Sequence, residues 1–230
     1  MIDDTLAHLH RSSLAPKCVV RGSLLTALWV PGRTANDVDV LVDGDWTPET
    51  LSPVVREVFA SMPEVSCEVT TIWADTEFPG VRASLKRSGR ALQVDLGWGE
   101  LLAAPPVVTE VRGLSWRAVV PEVMFGWKAH SLVEHGARGR WHAKTMADLV
   151  LLGRHVKLEP ALTKKAIAMS FESQRMPLSL LDGFFDDPTW GMSRGSRNKW
   201  KAYQKKAPWV TFTLADALAE VRSMLRPLVR

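Results

Sequence analysis

Residues 18–44 read CVVRGSLLTALWVPGRTANDVDVLVDG, and the run from Asp37 to Val42 limits the fold most tightly. Val38, Val40 and Val42 alternate there with Asp37 and Asp39. Successive side chains of a strand point to opposite faces, so the valines share one face and both carboxylates the other. Such a strand packs its valines in a core and presents two acids to a site. Two like charges this close repel, and burying them unpaired is costly.

A divalent cation would remove that cost. Mg²⁺ favours hard carboxylate oxygens and keeps water or phosphate oxygens in its other positions. A third acid, Asp95 in ALQVDLGWGE, also interrupts an apolar strand pattern. Asp37, Asp39 and Asp95 are therefore the expected metal ligands, with capacity for two ions. One ion would activate an attacking hydroxyl and the other would steady a leaving pyrophosphate. Gly22-Ser23 follows the first strand and opens a helix, where a glycine lets backbone approach a phosphate and Ser23 can donate to it. Alone, an Asp-x-Asp is commonly a solvated turn and a Gly-Ser before a helix is commonly an N-cap. The order of strand, Gly-Ser, helix, Asp-x-Asp strand and later strand Asp is more specific than either.

The first half alternates strand and helix signals. Strands are predicted over 17–20, 38–42, 66–73, 81–86 and 91–96, and helices over 23–30 and 47–61. Pro31-Gly32 and Ser88-Gly89 mark turns. Pro105-Pro106 and the Arg112-Gly113 turn are expected to close a first domain over 1–113. Beyond residue 120 the pattern is helical, with helices predicted over 121–135, 143–155, 159–173, 177–185, 193–206 and 213–225. The expected fold class is α/β (α+β), with a mixed-sheet domain followed by a helical domain over 114–230.

Charge follows the same division. Residues 1–114 hold 10 Lys/Arg against 15 Asp/Glu, whereas residues 115–230 hold 19 against 10. A basic half beside an acidic half suits a polyanion held by one and cations held by the other. No stretch is apolar for long enough to span a bilayer. The first residues carry Asp3, Asp4, His8 and Arg11 without an apolar core, so no secretory signal is expected. Cys18 and Cys67 read as reduced thiols of a cytoplasmic protein. The six histidines have no zinc-ligand spacing, and Walker A, nucleophile-elbow and kinase motifs are absent.

These motifs together resemble the nucleotidyltransferase fold of the DNA polymerase beta superfamily. More narrowly, the chain resembles the AbiEii/AbiGii toxin family, whose relatives include the MenT-type toxins. VRGSLLTALWVPGRTANDVDVLV is similar to the family's Gly-rich first motif, an arginine (Arg33) and Asp-x-Asp. LQVDLGWGELLAAPPV resembles its third-acid strand, and PEVMFGWKAHSLVEHGARGRWHAKTMADLVLL its helix pair with a lysine and a later acid. SFESQRMPLSLLDGFF and RNKWKAYQKKA resemble its C-terminal tail. Departures are Arg21 where many relatives have lysine, Ser23 in place of a frequent second glycine, and Ala35 in place of a small hydroxyl residue. They bear on nucleotide preference.

The resemblance implies roles for the helical half. Lys128, set among Met124, Phe125, Trp127, Leu132 and Val133, reads by itself as a lysine that snorkels to solvent. By resemblance it contacts the triphosphate. Asp148 lies in an apolar helix and needs a partner, which Lys144 one turn earlier offers. By resemblance it belongs to the active site and orients the lysine or the acceptor. The implied catalytic residues are Asp39, Lys128 and Asp148, and the implied nucleotide-binding residues are Gly22, Ser23, Arg33 and Lys128. Arg138, Arg140 and Lys144 are expected to face nucleic acid or phosphates.

Arg194, Arg197, Lys199, Lys201, Lys205 and Lys206 interleave with Trp190, Trp200, Tyr203 and Trp209, a mixture that suits RNA backbone and bases. Trp200 and Tyr203 also fall at i, i+3, which suits core packing. The implied reaction is Mg²⁺-dependent nucleotidyl transfer from an NTP to RNA, with the tRNA 3′ end as acceptor and a separately encoded antitoxin as partner. Rival readings are transfer to a small hydroxyl compound such as an aminoglycoside, transfer to a protein side chain, or a non-catalytic nucleotide-binding module.

Overall fold

A computed structural model describes residues 1–74, 76–134 and 141–230. His135, Arg138 and Arg140 lie outside the described residues. The chain is mixed α/β, and its contacts divide it into two compact units. The first comprises 1–28, 34–100 and 105–119; the second comprises 29–33, 101–104 and 120–230.

The first unit is built on a seven-stranded mixed sheet. Its strands are β1 (Cys18–Arg21), β2 (Val38–Val42), β3 (Ser66–Ile72), β4 (Gly80–Arg87), β5 (Arg90–Gly97), β6 (Val107–Val111) and β7 (Leu114–Ala118). Their order across the sheet is β3-β4-β5-β2-β1-β7-β6. β2 pairs parallel with β5 and antiparallel with β1, so residues 18–44 supply two adjacent central strands. Val38, Val40, Val42, Val81, Ala83, Leu85, Val94 and Leu96 are all buried and share one parity along their strands, which makes that face the core.

Helix α1 (Ile2–His10) precedes the sheet, and α2 (Ser23–Trp29) leaves β1 directly. Helix α3 (Pro48–Ala60) packs against β3 and β4 through an apolar stripe that includes Leu51, Val55, Val58 and Phe59. Thr47 caps it: its hydroxyl accepts from the Thr50 amide while the Thr50 hydroxyl accepts from the Thr47 amide. Both cysteines are free, and burial, aided by Asp43, pushes the Cys18 thiol up to about 12.

Two features depart most from the sequence reading. Residues 2–10 form a helix, with Leu6 and Leu9 fully buried. The Arg112-Gly113 turn, expected to end the first domain, instead joins β6 to β7, and the first unit continues to Val119. Arg112 and Gly113 both have positive φ, at 55° and 76°, which gives the primed turn that matches the twist of an antiparallel pair.

The second unit is helical. It contains α4 (Pro121–Val133), α5 (Ala143–His155), α6 (Pro160–Ser173), α7 (Leu180–Asp186), α8 (Arg194–Lys206) and α9 (Leu214–Val229). Glu159, Ser193 and Thr213 cap α6, α8 and α9 by accepting from first-turn amides. Helix α4 packs closely on α6, because a Cβ on Gly126 would sit 2.6 Å from the Ala166 carbonyl. The core holds Trp141, Trp190 and Trp200, with Trp141 stacked on Trp190 at 6.1 Å between centroids. Among the described residues no helix is long and apolar enough to cross a membrane.

Candidate active site

Strand register in the first unit sets four charged side chains in one row. Arg21 of β1 is opposite Asp39 of β2, Asp39 is opposite Asp95 of β5, and Asp95 is opposite Arg82 of β4. The row reads plus, minus, minus, plus across four neighbouring strands. All four residues lie on the sheet face opposite the valine core, as alternation requires.

The two acids would repel each other without compensation. The arginines at the ends of the row supply it. Arg82 grips Asp95 with a two-pronged fork, Nε donating to Oδ1 and Nη2 to Oδ2, each at 2.7 Å. That pair, with Asp39 and Asp37 nearby, raises the Arg82 pKa against the opposing effect of burial. Arg21 donates to Glu100. Burial works against the Arg21 charge, but Glu100, Asp39 and Asp95 outweigh it and hold its pKa above the ordinary value.

Gly22 and Ser23 shape the approach to these acids. Gly22 has φ of +75°, and a Cβ there would lie 2.0 Å from Asp39 Oδ2. Only glycine lets the backbone run this close to the carboxylate. Ser23 is buried, and its hydroxyl donates to the Asp37 carboxylate. The hydroxyl expected to face a phosphate therefore orients an acid in this structure. Asp37 lies immediately before β2 and Asp39 within it, both half-buried.

The donor set can be compared with the expected metal. Among the described residues no group of three or more His, Cys, Asp or Glu is arranged to hold a metal ion. Asp37 and Asp39 are hard oxygen donors two residues apart, which fits the one or two carboxylates that Mg²⁺ ordinarily takes. Asp95 stands in register beside Asp39, with each of its oxygens accepting one hydrogen bond from Arg82.

The second unit has a charged cluster of its own. Asp148 of α5 is fully buried and accepts from Lys128 Nζ of α4 at 2.8 Å and from Arg33 Nε at 2.9 Å. Arg33 is also buried, with its guanidinium over the Trp209 ring at 5.7 Å. Burial alone would raise the Asp148 pKa, but Lys128 and Arg33 outweigh it and hold the carboxyl below its ordinary range. The Tyr203 hydroxyl is pushed up to about 12 by burial first and by the Asp148 charge second. Lys128 thus meets an acid rather than snorkelling unaccompanied, and Arg33 joins the Lys128–Asp148 pair in one cluster.

Helix α8 divides its side chains sharply. Trp200 and Ser196 face inward, while Arg194, Arg197, Lys201, Lys205 and Lys206 are exposed. Lys199 donates to the Trp141 carbonyl at 2.6 Å. The helix has no acidic residue.

Sequence reasoning did not single out Arg82 or Glu100. For Arg82 a signal was present: in GVRASLKR it alternates with Val81, Ala83 and Leu85, which places it on the face away from the core. Its partner depended on strand order, which no local pattern carries.

No family model matches the chain, and none of the curated proteins compared with it matches. Two solved structures from Helicobacter pylori share its fold. JHP933 has a TM-score of 0.51 at 13% identity, covering 99% of this chain and 88% of that one. A protein named "putative nucleotidyltransferase" has a TM-score of 0.53 at 12% identity, covering 99% of this chain and 91% of that one.

Proposed function

We propose that a chain with this fold and this charged row is a Mg²⁺-dependent nucleotidyltransferase that moves a nucleoside monophosphate from an NTP to a hydroxyl of RNA. The observation that carries the reading is the pair Asp37 and Asp39 beside the Gly22-Ser23 turn, with Asp95 in register on the next strand. The name of one structural neighbour supports the same general activity.

Asp37 and Asp39 are the residues that would hold Mg²⁺. When bound, the cation would supply charge neutralisation for the phosphates and the developing oxyanion. Ser23 holds the Asp37 carboxylate in place through its hydroxyl. Gly22 keeps the approach to Asp39 open. Asp39 is the acid proposed to serve catalysis directly. In the second unit, two cations on the Asp148 carboxylate leave a net positive charge. That surplus suits phosphate, and Asp148 would set the direction of Lys128 and Arg33.

RNA is favoured as acceptor by the exposed basic face of α8, which has the character of a backbone-binding surface. Resemblance to the AbiEii/AbiGii toxins supports the tRNA 3′ end as acceptor, a toxin role in the cytoplasm and restraint by a cognate antitoxin. Incubation of purified protein with Mg²⁺, each α-labelled NTP in turn and total RNA tests the reading. Label on tRNA-sized bands is the expected result. Label that appears on an added aminoglycoside or on protein, with none on RNA, would replace the acceptor. Tight NTP binding with no pyrophosphate release would mark a binding module.

A further inference from the structure

Both oxygens of Asp95 are engaged by one guanidinium. Arg82 takes both, one from each prong of its fork, at 2.7 Å. Register enforces the meeting, because Arg82 and Asp95 are direct cross-strand partners on β4 and β5. The two sides differ in exposure: the Asp95 side chain is 9% exposed and that of Arg82 30%. Arg82 can therefore swing into water, while Asp95 stays fixed in the sheet beside Asp39.

We infer that Arg82 is an intramolecular counter-ion that competes with a divalent cation for the third carboxylate. The chain then binds the cation through Asp37 and Asp39 at first, and Asp95 joins only when the Arg82 fork opens. No bond to Asp95 is broken covalently; one ionic partner exchanges for another. The inference rests on the metal reading of Asp37 and Asp39 given above. It goes beyond that reading by making occupancy at Asp95 conditional and by naming the residue that controls it.

Mn²⁺ binding to the full chain without nucleotide tests this, followed by the electron paramagnetic resonance signal of the free ion. Arg82→Gln is expected to tighten binding about fivefold to tenfold, the scale of a partly exposed ion pair removed as competitor. Loss of a nearby positive charge would also help a cation, so the comparison is made in two backgrounds. With Asp95→Asn already present, Arg82→Gln is expected to add at most about twofold. Arg82→Lys keeps the charge but not the fork, and is expected to give an intermediate gain that Asp95→Asn also removes. It carries the test if Arg82→Gln folds poorly by circular dichroism. An equal gain in both backgrounds, or no gain in either, overturns the inference while leaving the metal reading intact. Wild-type Mn²⁺ binding that Asp39→Asn leaves unchanged would instead remove the metal reading, and the inference with it.

Discussion

Asp39 on β2 stands directly opposite Asp95 on the parallel strand β5. Placing two carboxylates side by side opposes folding, since each disfavours the other's charge. Arg21 and Arg82 flank the pair in the same row and offset that repulsion. The fold thus holds two neighbouring carboxylates between two guanidiniums in a single row.

Gly22→Ala is expected to abolish or severely reduce nucleotide transfer while leaving the fold standing. The backbone there is left-handed, which costs an L-residue about 1–2 kcal/mol, and the new methyl would displace the Asp39 carboxylate. Thermal unfolding should shift by only a few degrees. Full activity in a folded Gly22→Ala protein would show that the close approach to Asp39 is not used.

Asp148→Asn is expected to destabilise the protein by about 3–5 kcal/mol, because it leaves the Lys128 and Arg33 charges without their buried acid. The sign with pH follows from the lowered Asp148 pKa. A depressed carboxyl stabilises the fold above its unfolded pKa of about 4 and loses that contribution as pH falls through the folded value. Urea unfolding at a series of pH values should show a constant gap between wild type and variant above about pH 4, closing below it. A gap that instead widened on acidification would contradict the assignment.

Gly126→Ala should cost about 1–3 kcal/mol, since its Cβ would fall 2.6 Å from Ala166 backbone atoms where α4 meets α6. Chemical denaturation reads this directly. An unchanged midpoint would mean that the helices separate without penalty.

Changing Arg194, Arg197, Lys201, Lys205 and Lys206 to Gln is expected to weaken RNA binding and flatten its dependence on salt. Each phosphate contact removed should reduce the logarithmic slope by roughly 0.7–0.9. Trp200 and Ser196 anchor α8 on its other side, so the helix should remain folded. The same slope in wild type and variant would place the RNA elsewhere.

Much of the local structure was legible in the sequence. The strand 38–42 and the helix 143–155 were read with the bounds they have, because valine alternation and a buried helical stripe are strong signals. Thr47 and Pro48 both read as candidate starts of α3 for the same kind of local reason, and Thr47 is its cap with Pro48 the first helical residue. Helix α1 was missed because Leu6 and Leu9 are its only large apolar residues after Ile2, amid polar neighbours. The β6–β7 hairpin reads as a boundary in the sequence because Pro105-Pro106 and Arg112-Gly113 are turn signals whether they end a domain or join two strands. Asp37, Asp39 and Asp95 stood out as acids in apolar strands. The Arg82 fork and the Arg33–Asp148 pair did not, since the partners lie 13 and 115 residues apart and only tertiary register brings them together.

The most direct measurement is Mg²⁺-dependent pyrophosphate release from NTP in the presence of RNA, comparing wild type with Asp39→Asn. Wild-type protein is expected to release pyrophosphate, and Asp39→Asn to lose that release by a factor of about a thousand or more while staying folded. Release by Asp39→Asn at the wild-type rate would contradict the placing of the reaction at the Asp37–Asp39 pair.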